Sequence, residues 1–340
     1  MKKLLNILYI TQPAAYLYKD GQNVVVSVNQ KEVFRIPILN IEGIVTFGYA
    51  GCSPGLMKLC IDSKVSLTFL SPHGKFIARI QGPLSGNILL RKKQHFLSEN
   101  EESSLRISQL IISSKIHNYR AILNRYIRDY GDNESIQTAS TTLLKLQRQS
   151  LKALDKESLR GYEGMAASCY FEVFPCLITQ QKSGFPFNGR NRRPPKDAVN
   201  AMLSFAYTLI ANEIISSLEA VGLDSQMGIF HTLRPGRHSL ALDIMEEFRA
   251  YLGDRLVLSL INRRQIQPKD FKVHDVSGIL MSDNAKKKII STWQERKKEE
   301  ILHPYLQERI PIGLLPYVQC VLLARVIRED IDTYPPFLIK

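Results

Sequence analysis

At 340 residues the chain is long enough for two domains, each with its own core. Apolar residues (44%) and charged residues (23%) stand in ordinary globular proportion, which excludes a disordered or collagen-like chain. The charge is uneven: 45 Lys and Arg against 32 Asp and Glu give a formal +13, which favours a polyanionic partner, nucleic acid or an anionic membrane.

In chain order, Met1-Lys2-Lys3 followed by Leu4-Leu5-Asn6-Ile7-Leu8-Tyr9-Ile10 has the outline of a signal peptide. The apolar stretch is short, Asn6 interrupts it and no clear cleavage site follows, so a first β-strand is expected there. Ala15–Tyr18 and Val24–Val28 flank Lys19-Asp20-Gly21-Gln22, an Asp-Gly turn between apolar runs that signals a hairpin. Strand-like runs follow at Val33–Ile36, Ile41–Phe47, Val65–Leu70 and Phe76–Ile80. One short helix, Pro54 to Cys60, interrupts them, with Ser53 placed to cap it and Pro54 to open it. From about Asn87 the period changes: Leu105, Ile107, Leu110, Ile111, Ile116 and Tyr119 recur every three or four positions, and helical patterning continues almost to the end. The expected fold class is therefore α+β, with an N-terminal β-rich domain over 1–88 and a larger, all-helical domain over 89–340. No apolar run reaches the ~20 residues needed to span a bilayer, and a cytoplasmic protein is expected. Five cysteines, an odd count with no C-x-x-C pair, fit neither a zinc site nor a disulfide framework and read as reduced core thiols.

Basic residues gather in blocks. Ser63 to Ser98 holds six Lys or Arg and no acid, Gln181 to Lys196 holds five and no acid, and a third block holds Lys286-Lys287-Lys288 and Arg296-Lys297-Lys298. Any one block is commonly a solvated face; three on a basic chain point to nucleic acid. Asn284 to Leu302 is the only candidate for a membrane-surface helix, and its many charges make it a poor one, so no membrane partner is expected.

Three segments carry candidate chemistry. In GIFHTLRPGRHSLALDIMEEFR, Gly228 to Arg249, Pro235-Gly236 makes a turn and Ser239 can cap a helix with Leu240, Ile244 and Phe248 on its apolar stripe. Asp243 and Glu246, three apart, share a face of that helix, and His231 lies just upstream. A histidine and two carboxylates suit a divalent cation with mixed nitrogen and oxygen ligands, although a charged helix face and a loop histidine would explain the same spacing. Glu163 is the lone charge in the small, apolar stretch Gly161 to Tyr170, so it is exposed, paired or bound to a metal. In FPFNGRNRRPPKDAVNAMLSFAY, Phe185 to Tyr207, Pro194-Pro195 closes a loop and opens a helix. Arg190, Arg192 and Arg193 then sit before a helix N-terminus, and both features suit phosphate.

Together, LRGYEGMAAS, NRRPPKDAVNAMLSFAYTLI and GIFHTLRPGRHSLALDIMEEFR, in this order after a β-rich start, resemble the CRISPR-associated integrase family, the metal-dependent endonucleases of spacer acquisition. The likeness extends over nearly the whole chain, and the ending Tyr334-Pro335-Pro336-Phe337 resembles the type I-C branch. The resemblance implies that Glu163, His231 and Glu246 are metal ligands, with glutamate at a position some members fill with aspartate. It implies that Asp243 is a further catalytic acid near the metal; His238 is left unassigned. It implies Mn²⁺ or Mg²⁺, with histidine among the ligands tilting toward Mn²⁺. The reaction implied is attack of a 3′-hydroxyl of a short DNA fragment on a phosphodiester of a CRISPR repeat. DNA contacts are expected from Arg190, Arg192, Arg193, Arg234, Arg237, Lys286, Lys287 and Lys288. The implied partners are double-stranded and branched DNA, a second copy of the chain as homodimer, the small CRISPR adaptation partner in a heterohexamer, and a fragment-trimming nuclease. Two other readings stay open: a general metal-dependent repair nuclease, and a non-catalytic DNA-binding scaffold. Exchanging a ligand for alanine is expected to leave stability unchanged or raised, because three unfilled ligands repel one another.

Overall fold

The computed structural model describes residues 6–12, 14–48, 50–71, 76–80, 88–191, 194–274 and 278–339, and the chain divides into two compact units. The first, Met1–Ser85 with Met281–Lys297, holds β1 (Ile7–Ile10), β2 (Ala15–Asp20), β3 (Asn23–Val28), β4 (Lys31–Pro37), β5 (Gly43–Phe47), β6 (Gly51–Cys52), α1 (Pro54–Asp62), β7 (Ser66–Leu70) and β8 (Phe76–Ile80). One sheet runs β1-β5-β7-β8, parallel except for β8; the other runs β4-β3-β2-β6. The Asp-Gly turn joins β2 to β3, and Gly21 takes φ +56°, a conformation costly for residues with a Cβ. Ser53 caps α1 as its position predicts, accepting a hydrogen bond from the Leu56 N–H. This helix packs against β2 and β7, and its Leu56, Leu59 and Cys60 join Leu17, Val24, Val26, Ile44 and Leu67 in the core.

The second unit, Gly86–Leu280 with Lys298–Lys340, holds α2 (Ile88–Glu99), α3 (Glu101–Tyr130), α4 (Glu134–Ser150), α5 (Lys156–Val173), α6 (Ala198–Val221), α7 (Ser239–Glu246), a π-helical turn (Arg249–Asp254) and α8 (Arg255–Asn262). After them come β9 (Phe271–His274), β10 (Gly278–Met281), α9 (Asp283–Lys298), β11 (Glu300–Leu302), β12 (Arg309–Pro311) and α10 (Leu315–Arg328). Most of α9 clusters with the first unit, where Gln294 donates to the Ile7 carbonyl and Trp293 is buried. A single cut at residue 88 and the observed clustering therefore differ in this returning segment. Asn100, Asn133, Asp155 and Asp197 cap α3, α4, α5 and α6, each through a side-chain oxygen accepting from the N–H three residues on. Two departures from the helical reading are the two-stranded sheets β9–β10 and β11–β12, whose strands are too short for a period of two to be read. Another is α6, which is long and apolar enough to span a bilayer, contrary to expectation; 78% of its most apolar window is buried inside the protein, as in a core helix.

The last described residues are clamped into this unit. Asn118 on α3 donates to the Glu247 and Phe337 carbonyls at 2.8 and 2.9 Å and accepts from the Ile339 N–H at 2.9 Å. The buried Glu247 carboxylate accepts from the Phe337 N–H (2.7 Å), Tyr334 Oη (2.6 Å) and Gln319 Nε2 (2.9 Å). Burial pushes its carboxyl up to about 7, although these three hydrogen bonds pull the other way. A carboxyl whose folded pKa exceeds its unfolded value of about 4.3 contributes stability in full below that value and loses it as pH rises through the folded pKa. The contribution at stake is at most about 4 kcal/mol. Glu247→Gln is thus expected to gain on the unaltered chain between about pH 4.5 and 7.5. Thermal melts of both proteins across that range check this; parallel curves contradict it.

Candidate metal centre

Four helices and two loops of the second unit bring the site together. From α3 come Lys115 and, one turn later, Tyr119; from α5, Glu163; from α7, Glu246; from α6, Tyr207; the 225–238 loop adds His231 and Arg237, and the π-helical turn adds Arg249. With Phe171, Phe187 and Arg190 they line a cavity of about 760 Å³. The Glu163, His231 and Glu246 expected as ligands thus share one cavity, although α5 and α7 lie far apart in the chain.

Asp243 lies outside the cavity lining and is fully buried. Its Oδ2 accepts the Ile229 and Phe230 N–H groups at 2.6 and 3.1 Å; its Oδ1 accepts the His231 N–H at 2.9 Å and meets His231 Nδ1 at 2.6 Å. Four donors occupy this carboxylate, so its work is to fold the loop and hold the imidazole. An ionised carboxylate only accepts, which assigns the proton to Nδ1 and leaves the Nε2 lone pair facing the cavity. Nε2 stands 4.0 Å from Glu246 Oε1. Arg160 steadies the same loop from α5, donating to the Phe230 carbonyl at 3.3 Å.

Glu246 is buried among cations. Lys115 Nζ lies 2.6 Å and Arg249 Nε 2.9 Å from its Oε2, and Lys115 also pairs with Glu163 Oε1. Burial alone would raise the Glu246 carboxyl, but the charges of Arg249 and Lys115 outweigh it and hold it down at about 2. Arg249 is charged in turn: burial disfavours the cation, and the Glu246 carboxylate more than compensates. The π-helical turn makes this possible, aiming Arg249 at Glu246 while Asp254 accepts from Tyr207 Oη at 2.5 Å. Tyr207 lies under two guanidinium groups, Arg249 at 4.8 Å and Arg190 at 5.4 Å from its ring centroid.

The donor set suits a hard or borderline divalent ion: two carboxylates and one imidazole nitrogen whose other nitrogen is held by a carboxylate. Glu246 Oε2 is buried without a hydrogen bond of good geometry, an acceptor that only charge satisfies. Among the described residues no three His, Cys, Asp or Glu side chains stand close enough together to grip an ion. The Lys115 ammonium lies between the two carboxylates instead, so a cation already occupies the position. In donor chemistry the residues suit the ion, while in this arrangement the ammonium stands in its place.

The expected DNA contacts are scattered. Arg190 is half-buried and pinned by Asn200 Oδ1 (2.7 Å) and Ser204 Oγ (3.0 Å) at the cavity edge. Arg192 and Arg193 lie outside the described residues. The N-terminus of α6 is filled by Asp197, which accepts from the Asn200 N–H at 2.7 Å, so it offers no open anion site; Pro194-Pro195 precede this cap and do not open the helix. Ser239 likewise opens α7 without capping it and donates to the Thr232 carbonyl. Arg234 is exposed and Arg237 lines the cavity. Lys286 is buried against Asp283 at 3.2 Å, which withdraws it from a phosphate role, while Lys287 is exposed. Lys115, Arg249 and Tyr207 were not anticipated. A signal for Lys115 was present: it falls on the α3 stripe of Ile111, Ile112, Ile116 and Tyr119, where a charge needs a partner.

The family model described as "CRISPR associated protein Cas1" matches residues 8–295. "CRISPR-associated endonuclease Cas1 1" of Chlorobaculum tepidum is 47% identical over 341 residues, covering 99% of each chain. Among solved structures, a CAS1 protein from Thermotoga maritima superposes with a TM-score of 0.83 at 22% identity, over 97% of this chain and 98% of that one. One chain of a structure described as a "Cas6-RT-Cas1--Cas2 complex" matches with a TM-score of 0.82 at 23% identity, over 98% of this chain and 36% of that one. At those identities the two structures speak for the fold alone.

Proposed function

The chain belongs to the CRISPR-associated Cas1 family, and from that premise we propose that its helical unit cuts and joins DNA at the cavity between Glu163, His231 and Glu246, inserting short fragments into a CRISPR repeat. The observation that carries the reading is the convergence of these three side chains, with His231 Nδ1 held by a buried carboxylate. A divalent ion held there, Mn²⁺ or Mg²⁺, supplies polarisation of the phosphoryl oxygens and activation of the attacking hydroxyl. The protein supplies the rest. Asp243 fixes the imidazole, Arg249 and Arg237 bring positive charge to the cavity for the phosphodiester, and Tyr119, Phe171 and Phe187 wall off water. In the transfer one phosphorus–oxygen bond forms to the incoming 3′-oxygen and one breaks, the departing 3′-oxygen taking a proton. With water as nucleophile the same site hydrolyses.

The test is strand transfer on a branched DNA with and without a CRISPR repeat, in Mn²⁺ and in chelator. Transfer only with both repeat and metal is expected. Cleavage indifferent to the repeat marks a general nuclease, and binding without any chemistry marks a scaffold. Binding itself is expected to be mainly electrostatic, given the formal +13. Each phosphate contact releases about 0.9 counterions on B-DNA, so affinity measured from low to moderate salt should fall steeply, and a flat profile contradicts this. Assembly follows the same premise. The chain acts with partner proteins, and the form we infer is a homodimer, two of which a dimer of the small adaptation partner bridges, after another nuclease has trimmed the fragment. Light scattering showing a strict monomer at micromolar concentration overturns it. The place of work proposed is the cytoplasm.

A further inference from the structure

We propose that Lys115 is a resident counter-ion of the site: it holds the two carboxylates until a divalent ion displaces it, and then binds the phosphodiester. The inference rests on the metal reading above and adds a residue to it. Lys115 is 4% exposed and grows from α3, facing Glu163 on α5, Glu246 on α7 and the ring of Tyr119, 5.7 Å away, on its own helix. A lysine so buried keeps its charge only through partners, and both partners are proposed ligands. An ion cannot take Glu163 Oε1 and Glu246 Oε2 while the ammonium sits on both, so the two cations compete for the same oxygens. Without the ion, Glu163 and Glu246 balance Lys115 and Arg249. With it, the cavity carries an excess of positive charge, and a displaced ammonium has three N–H donors without acceptors. A phosphodiester arriving in the cavity supplies negative charge and acceptor oxygens together. Metal and DNA should therefore assist each other's binding through this side chain, and by the same factor in both directions.

The experiment is Mn²⁺ titration of the full chain by electron paramagnetic resonance, with and without a DNA duplex, on the unaltered protein, Lys115→Met and Glu163→Gln. Without DNA, Lys115→Met is expected to bind Mn²⁺ more tightly, by about tenfold or more, and DNA is expected to tighten Mn²⁺ binding less than in the unaltered chain. Equal or weaker Mn²⁺ affinity in Lys115→Met overturns the proposal while leaving the metal site standing. If Glu163→Gln binds Mn²⁺ as the unaltered chain does, the metal reading falls, and the proposal with it. Should Lys115→Met fold poorly in chelator, the proposal predicts that Mn²⁺ restores its melting temperature. A melt that Mn²⁺ does not move marks Lys115 as a purely structural ion-pair partner and also overturns it.

Discussion

Glu246→Ala is expected to abolish strand transfer and to lower the stability of metal-free protein by roughly 3–5 kcal/mol, the usual cost of removing one partner of a buried ion pair. The sign reverses the expectation from sequence, that losing a ligand relieves repulsion. Repulsion between ligands matters only when no cation neutralises them, and here Lys115 and Arg249 already do. Lys115 is 4% and Arg249 13% exposed, so alanine strands the buried Arg249 and leaves the buried Lys115 with Glu163 alone. Glu163 has its side chain 27% exposed, and water reaches the gap it leaves, so Glu163→Ala should cost less stability while losing activity as fully. Denaturant unfolding of both variants in chelator, set beside strand transfer in Mn²⁺, checks the ordering. A Glu246→Ala protein as stable as the unaltered chain removes the ion pairs from the account.

Asp243→Ala is the second large effect. It leaves the N–H groups of Ile229, Phe230 and His231, and the imidazole Nδ1, without their acceptor in a buried setting. At roughly 1–3 kcal/mol for each buried donor left unsatisfied, the loss should be at least about 3 kcal/mol even if water recovers some of them. Activity should fall with it, because the loop no longer presents Nε2 to the cavity. Asp243→Asn separates the two roles. The amide oxygen keeps some of the backbone donors, but its NH₂ faces another donor and cannot accept the Nδ1 proton, so the ring is free to turn. Its folding loss should be the smaller and its activity loss nearly as large. Nitrogen-15 spectra of the histidines report the tautomer directly. Full activity in Asp243→Asn contradicts the positioning role.

Much of this was legible in the sequence, for local reasons. The Asp-Gly turn, the Ser53 cap with Pro54, the strands from Val24 to Leu70 and the onset of helix near Asn87 depend on neighbours within a few positions, and the structure keeps each. Where the sequence reading strayed, a competing residue close by had won. Asp197, behind the two prolines, took the cap of α6, and Ser239 turned back to the Thr232 carbonyl. The candidate ligands were found through motifs, yet what holds them was not. Nothing near Glu246 announces Lys115, which arrives from another helix, and the π-helical turn that aims Arg249 follows from packing around Tyr207 and Asp254. Asp243 shows the limit in the other direction: its spacing from Glu246 puts both on one helix, and only the folded loop assigns them different work.

The clamp at Asn118 and Glu247 bears on when the protein can act at all. Asn118 binds partners 129 and 219 positions away, and Glu247, beside Glu246, is held by residues near 319, 334 and 337. Contacts so distant in sequence form late, because the loops they close must first be ordered. Glu246 and Arg249, which line the cavity, flank Glu247 in sequence, so pieces from both ends of the helical unit hold the segment that carries them. A chain folded over only part of the unit therefore lacks the support of the segment that carries these two side chains.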